Sequence, residues 1–310
     1  MKMSLYEIYE KLLNKMLELF PDKNGDVVYH YTSLEVLWKF LKPDYDFLCT
    51  YCRDLSDNTE FRTGMFEVAR LLKKHSQKDD FIRTLSFMNA LAGDQGCNYL
   101  PWTMSCSLAD DDTGQWRLYT DSKHGGYAVG FCVARIKNGL CEKDNKSHDT
   151  WALVTFLPCV YRNCDGGENL SKLFKFALGD VAYDLKSFLD EREAKPDNEE
   201  IARSLICFLL ASLIKHEDFV SEREWRLIVQ PLELGKLPNA VTMEGGRIRM
   251  ATGLWGKDRK VSDCISRVVV SPQGHAEHLL EMGQLFAALR GLQKAEEPIV
   301  VPSESPYAGT

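Results

Sequence analysis

The sequence predicts an α+β fold laid out as a single domain over residues 1–310. Three observations carry that prediction. Strand-like and helix-like segments follow one another without a strict βαβ rhythm, which argues against a doubly wound sheet. The chain has 310 residues, 45% of them hydrophobic and 27% charged, enough to bury a large core. No repeat, low-complexity segment or convincing linker divides it, and the most polar break, residues 193–199, is short enough for an inter-helix loop.

In chain order, residues 1–22 open with an amphipathic helix, since Leu5, Ile8, Leu12, Met16 and Leu19 recur at helical spacing. A turn at 21–26 leads into a short strand at 27–30. Thr32 and Glu35 then have the capping-box spacing, with Thr32 as N-cap of a helix that buries Leu34, Leu37, Trp38 and Leu41 and ends at Pro43. Residues 58–93 read as helix with a break near 77–80. A strand at 102–108, an acidic loop at 110–114 and a short helix at 115–121 follow. A Gly125-Gly126 turn then precedes an apolar strand at 127–133, and another strand covers 153–161. Residues 168–217 form a helical insertion. Its first helix covers 170–188; its second opens at Asp197 with Glu200 at capping-box spacing, runs to about His216 and is apolar on more than one face. Strands recur at 224–230, 247–250 and 266–270, followed by a helix at 277–290 and a last strand at 299–301.

The formal net charge is −7 and the pI near 5.6, which disfavours a broad basic face for duplex DNA or an anionic membrane. The N-terminus is charged throughout, unlike a signal peptide, and no stretch approaches 18 uninterrupted apolar residues. These features place the chain in the cytoplasm. Its ten cysteines are scattered, mostly within apolar runs, and read as reduced buried thiols. Cys49 and Cys52 have half the spacing of a zinc site, but no second pair follows. His275 and His278 belong to the start of a surface helix, so no metal is expected.

The fingerprints of P-loop, kinase, α/β-hydrolase and zincin chemistry are all missing from the sequence. Three polar segments in strand contexts remain. In Tyr29-His30-Tyr31-Thr32-Ser33, the histidine sits where a strand hands over to a helix. It reads either as a ligand contact or as a satisfied interior histidine. In residues 102–107, alternation puts Ser105 and Ser107 on one face and Met104 and Cys106 on the other. Those hydroxyls suit a sugar or amide, while Trp116 and Tyr119 either stack on a flat ring or close the core. In 221–229, Glu222 and Glu224 point the same way if extended, as do Arg223 and Trp225. Such paired carboxylates suit a developing cation or general-base work; the plainer reading is exposed ion pairs at a strand end.

Taken in succession, these segments resemble a widespread bacterial family grouped with the ADP-ribosyltransferase-like folds and often found near defence or mobile-element genes. The likeness rests on 28–33 around His30, 55–61 with Glu60, 104–107, Gln115-Trp116-Arg117-Leu118-Tyr119, 126–131, and Glu222-Arg223-Glu224-Trp225-Arg226. It also takes in the tail at 301–307. Ser56-Asp57-Asn58 departs from the family's Asn-Asp-Pro, and Ala308 stands where an Arg is common.

The resemblance implies a mixed or antiparallel split sheet flanked by helices, NAD as co-substrate, and transfer of ADP-ribose to a protein or nucleic-acid acceptor. The biological setting it implies is a toxin or defence effector with an antitoxin or activator protein as partner. It also implies roles for individual residues. Glu224 stabilises the oxocarbenium-like transition state near the ribose 2′-hydroxyl, and Glu222 orients or deprotonates the acceptor. His30 holds a ribose, Ser105 or Ser107 supports the nicotinamide side, and Tyr31 or Tyr119 stacks on the ring. Thr32 and Trp116 complete the implied NAD site. An NAD glycohydrolase would share the first step. Two further classes compete: a non-catalytic nucleotide sensor using the same cleft, and a metal-dependent nuclease or phosphoesterase built on Asp57, Glu60 and 110–112.

Overall fold

The computed structural model describes residues 3–42, 45–55, 59–92, 99–120, 124–146, 152–162, 167–232, 241–244, 247–251, 260–273, 276–289, 291 and 299–305. Helix α1 (Leu5–Leu19) is closed by a complete capping box between Ser4 and Glu7, and its apolar stripe, Leu5, Ile8, Leu12 and Met16, is buried. Strand β1 (Val27–Thr32) extends past the expected strand and takes in Thr32. Thr32 pairs with Tyr127 in the ladder, so the cap of α2 (Leu34–Phe40) falls to Ser33 and the predicted box from Thr32 to Glu35 does not form. Strand pairing over the full length of β1 outweighs the local capping preference here.

Next come β2 (Leu48–Tyr51), α3 (Glu60–His75) and α4 (Lys78–Ala92), the last two parted near the expected break. They are followed by β3 (Trp102–Ser107), α5 (Thr113–Tyr119), β4 (Tyr127–Cys132) and α6 (Val133–Lys146). Strands β5 (Ala152–Pro158) and β6 (Val160–Tyr161) lead to α7 (Glu168–Phe176), a π turn at Ala177–Val181 and α8 (Ala182–Arg192). Helix α9 (Asn198–Leu213) is buried on nearly every side, against α3, α4 and α8. No side-chain cap forms at Asp197, whose backbone (φ −93°, ψ 3°) is not the extended one a cap residue takes, and the Glu200 carboxylate pairs with Arg83, 2.6 Å away. The helix also ends before His216, giving way to the two-residue strand β7 (Ile214–Lys215), which pairs in parallel with β6.

Strands β8 (Glu224–Pro231), β9 (Val241–Glu244), β10 (Arg247–Ala251) and β11 (Ile265–Val270) complete the chain with α10 (Ala276–Leu289) and β12 (Val300–Pro302). The main sheet is open and mixed: β11 and β12 run parallel, and its other pairs are antiparallel. Strand β3 is its branch point. One edge pairs with β8 from Trp102↔Val229 to Ser107↔Glu224. The other edge is divided: β2 takes the Trp102–Thr103 end, while β1 meets β3 at the Tyr29↔Ser107 pair. The sheet therefore forks between β1 and β3, and the candidate site lies at that fork.

Buried apolar residues from α1 through β12 form one contiguous core, while Tyr29, Tyr31, Trp116, Ala128 and Val269 form a second, smaller cluster. Cys49, Cys52, Cys106, Cys159 and Cys207 are buried thiols. Cys97, Cys164 and His275, the tail beyond 305 and the 56–58 segment lie outside the described residues, as does the side chain of Cys141. Among the described residues there is no cluster of three or more metal-ligating side chains, and no helix is long and apolar enough to cross a membrane.

Candidate functional site

Where β1 and β3 diverge, the imidazole of His30 bridges the gap. Its Nδ1 lies 2.8 Å from the carbonyl oxygen of Ser105. A carbonyl can only accept, so Nδ1 carries the proton and Nε2 is left as an acceptor. Burial pushes the His30 pKa down, the Ser105 bond works against that and Arg249 adds to it, so the ring is neutral near pH 7.

Around this histidine is a pocket of about 350 Å³, part of it open to solvent. It is lined by His30 and Tyr31 from β1, by Ser105 and Ser107 from β3, and by Tyr119 from α5. Glu222 and Glu224 close it, and Tyr29, Cys106 and Gln115 complete the wall. Seven of the nine residues singled out in the sequence thus meet in one cavity. Thr32 and Trp116 do not line it. Thr32 is paired in the β1–β4 ladder, and Trp116 is fully buried, packed edge-on against Tyr31 with its indole nitrogen on Asp111 at 2.6 Å.

Several of these side chains are already engaged by the protein. The Tyr31 hydroxyl donates to the Ala109 carbonyl (3.0 Å) and accepts from the Asp112 amide (2.9 Å). The Ser107 hydroxyl donates to the Glu222 carbonyl (2.6 Å) and accepts from the Ala109 amide (3.0 Å). Both residues therefore hold the acidic loop and the Glu222 turn in place. Tyr119 is different: it is 45% exposed, with burial and the two nearby carboxylates holding its phenol protonated.

The two glutamates do not alternate along one strand as extended chain would have them. Glu222 ends a 3₁₀ turn (Glu217–Glu222), and Arg223 takes a left-handed backbone with φ 44° before β8 begins at Glu224. That reversal also separates Arg223 from Trp225, whose ring is buried beside Phe156. Nor are the carboxylates exposed ion pairs. Lys215 Nζ, on β7, sits 2.7 Å from Glu222, 2.5 Å from Glu224 and 3.0 Å from Glu60. Arg226 donates from Nε to Glu224 (2.7 Å) and from its terminal nitrogens to Glu60 (2.6 Å) and to the Ser212 carbonyl (2.5 Å). Two buried cations face three carboxylates, leaving one negative charge in excess beside the pocket.

This cluster drives the two acids apart. Burial opposes ionisation of Glu224, but Arg226 and Lys215 outweigh it and hold the carboxyl well below the usual range. For Glu222, burial wins: Lys215 draws its pKa down, the charges of Glu224 and Glu60 oppose that, and the carboxyl ends above the usual range. Glu222 uses only Oε2 on Lys215, which leaves Oε1 without a hydrogen-bond partner among the described residues.

Lys215 was not legible as a site residue, since it continues an apolar run that reads as helix. Glu60 is drawn into the same cluster, and the acidic loop is used structurally: Asp110 pairs with Arg267 (3.5 Å), Asp111 accepts from the C-terminal segment, and Asp112 caps α5. These acids therefore do not converge on a metal site among the described residues.

Residues 115–227, from α5 to the first half of β8, are similar to a family described as a protein of unknown function (DUF2971). That span carries Gln115, Tyr119, Lys215, Glu222, Glu224 and Arg226 of the site. Comparison with curated proteins gave no match, and comparison with solved structures gave none.

Proposed function

We propose that this pocket binds NAD and that the chain transfers ADP-ribose from it to a protein or nucleic-acid acceptor. The observation that carries the reading is the pair of glutamates with oppositely displaced acidities in a pocket with a neutral histidine and an exposed tyrosine. Two titratable groups pushed apart by their surroundings are the usual mark of an acid–base division of labour. The NAD donor and the biological setting as toxin or defence effector come from the resemblance of the motifs.

In this reading the glycosidic bond between nicotinamide and ribose C1′ breaks, its electron pair leaving with the ring nitrogen, which becomes neutral. Glu224, held ionised by Lys215 and Arg226, supplies a preorganised negative charge to the oxocarbenium-like ribose. A new bond forms from C1′ to the acceptor atom, and the acceptor's proton passes to Glu222, whose raised pKa suits it to take that proton. His30 Nε2 accepts from a ribose hydroxyl, and Tyr119 packs on the nicotinamide ring. With water as acceptor the same steps give an NAD glycohydrolase.

The test is incubation of purified protein with adenine-labelled NAD, with and without lysate. Nicotinamide release by the wild type, absent from folded Glu224→Gln, supports the reading, and the fate of the label separates transferase from glycohydrolase. Absence of release under both conditions counts against it. A second reading, a non-catalytic nucleotide sensor, draws on the ion pairs that occupy both Glu224 oxygens. It predicts NAD binding without release.

A further inference from the structure

The polar groups of the pocket divide by whether the protein already uses them. Tyr31 and Ser107 each donate and accept within the protein, and both oxygens of Glu224 accept from Lys215 or Arg226. Gln115, like His30 Nε2 and Glu222 Oε1, is left over. It is only 5% exposed and it lines the pocket, yet its carboxamide has no hydrogen-bond partner among the described residues. Its amide atoms are not sealed in the protein interior but meet the cavity, so a partner for them has to come from what the cavity holds.

The backbone beneath this side chain is fixed from three directions. The Asp112 carboxylate caps α5 by accepting from the Gln115 amide at 2.9 Å, and the Asp112 amide donates to Tyr31. The neighbouring Trp116 indole is tied to Asp111. The main chain is thus anchored while the terminal amide is left to the cavity, the arrangement expected of a ligand contact.

A glutamine side chain offers one acceptor and one donor side by side. We propose that Gln115 selects the ligand, its carboxamide pairing edge to edge with a ligand group that presents a donor and an acceptor together. The proposal rests on the NAD reading, in which two parts of the molecule carry such an edge: the nicotinamide carboxamide and the adenine ring. The carboxylates that would act at the nicotinamide ribose line the same cavity, which points to the carboxamide end.

Calorimetric titration of NAD and of ADP-ribose into wild type, Gln115→Leu and the near-isosteric Gln115→Glu tests this, with thermal melts confirming that each variant is folded. The expected result is NAD affinity weakened at least tenfold in both variants and ADP-ribose affinity unchanged. Equal weakening of both ligands would assign Gln115 to the adenine edge and still support selection by edge pairing. NAD affinity unchanged in either folded variant overturns the proposal and leaves the NAD reading standing. Failure of the wild type to bind NAD overturns both.

Discussion

The mouth of β8 and the first turn of α5 face the same pocket and are built in opposite ways. At β8 the side chains are charged, buried and turned on one another: Lys215 and Arg226 each hold two or more partners, and Glu224 has both oxygens engaged. At α5 the supports are hydrogen bonds that Tyr31, Asp111 and Asp112 accept, largely from backbone amides, and the side chains left over, Gln115 and Tyr119, turn to the cavity. The first arrangement fixes charge in a low-dielectric setting; the second fixes backbone and leaves neutral groups for a ligand. Rigid charge and available hydrogen-bonding capacity are hard to obtain from one side chain, and here they come from different elements.

The largest expected effect is at the charged end. Arg226→Met removes the partner of Glu224 and Glu60 and should cost about 3–5 kcal/mol, the usual loss when one member of a buried ion pair is deleted. Urea unfolding reads it, and a loss below about 1 kcal/mol would show that the cluster is solvated and not as tightly held as its distances imply.

The second prediction separates two acids only two residues apart. Glu224 has a lowered folded-state pKa, so its contribution to stability is present above the ordinary carboxylate pKa and is lost as pH falls through the lowered value. Glu222 has a raised one, so its contribution is present at acid pH and is lost as pH rises through the raised value. Relative to wild type, Glu222→Gln should therefore gain stability as pH rises above the ordinary carboxylate pKa, whereas the deficit of Glu224→Gln should open as pH rises from about 2 to the ordinary carboxylate pKa and stay constant above it. Parallel pH profiles for the two variants would contradict the assignment. Glu224→Gln is also expected to lose stability outright, because it leaves Lys215 and Arg226 undercompensated.

Smaller effects belong to α5. The Asp111 carboxylate accepts from the Trp116 indole, the Ser303 hydroxyl and the amides of Glu304 and Ser305. Asp111→Ala should cost about 1–3 kcal/mol and expose the C-terminal segment to limited proteolysis. Tyr119→Ala, at a half-exposed position on the pocket wall, should change stability by less than about 1 kcal/mol while weakening NAD binding. A large drop in melting temperature there would make Tyr119 a packing residue.

Much of this was legible in the sequence wherever local pattern and tertiary role agree. The apolar spacing of α1 and the all-round apolar surface of α9 survive intact in the fold. His30, Ser105, Ser107, Tyr119, Glu222 and Glu224 line one pocket, although Glu222 reaches it from a 3₁₀ turn and not from the extended strand its spacing suggested. What escaped the sequence was decided by distant pairing. Thr32 lost its cap role to a ladder with β4, and Glu200 was drawn to Arg83. Lys215 follows Leu213-Ile214 in an apolar run, and only the pairing of β7 with β6 turns it toward the carboxylates. A lysine closing so apolar a run was the one available hint.

In the proposed reaction the two glutamates divide the work, Glu224 as fixed charge and Glu222 as the group that takes the acceptor's proton. The most direct test follows nicotinamide release and label transfer from adenine-labelled NAD by wild type and Glu222→Gln side by side. Release should persist in the variant while transfer to the acceptor falls by about 10²-fold or more. Transfer at the wild-type rate in Glu222→Gln would contradict it.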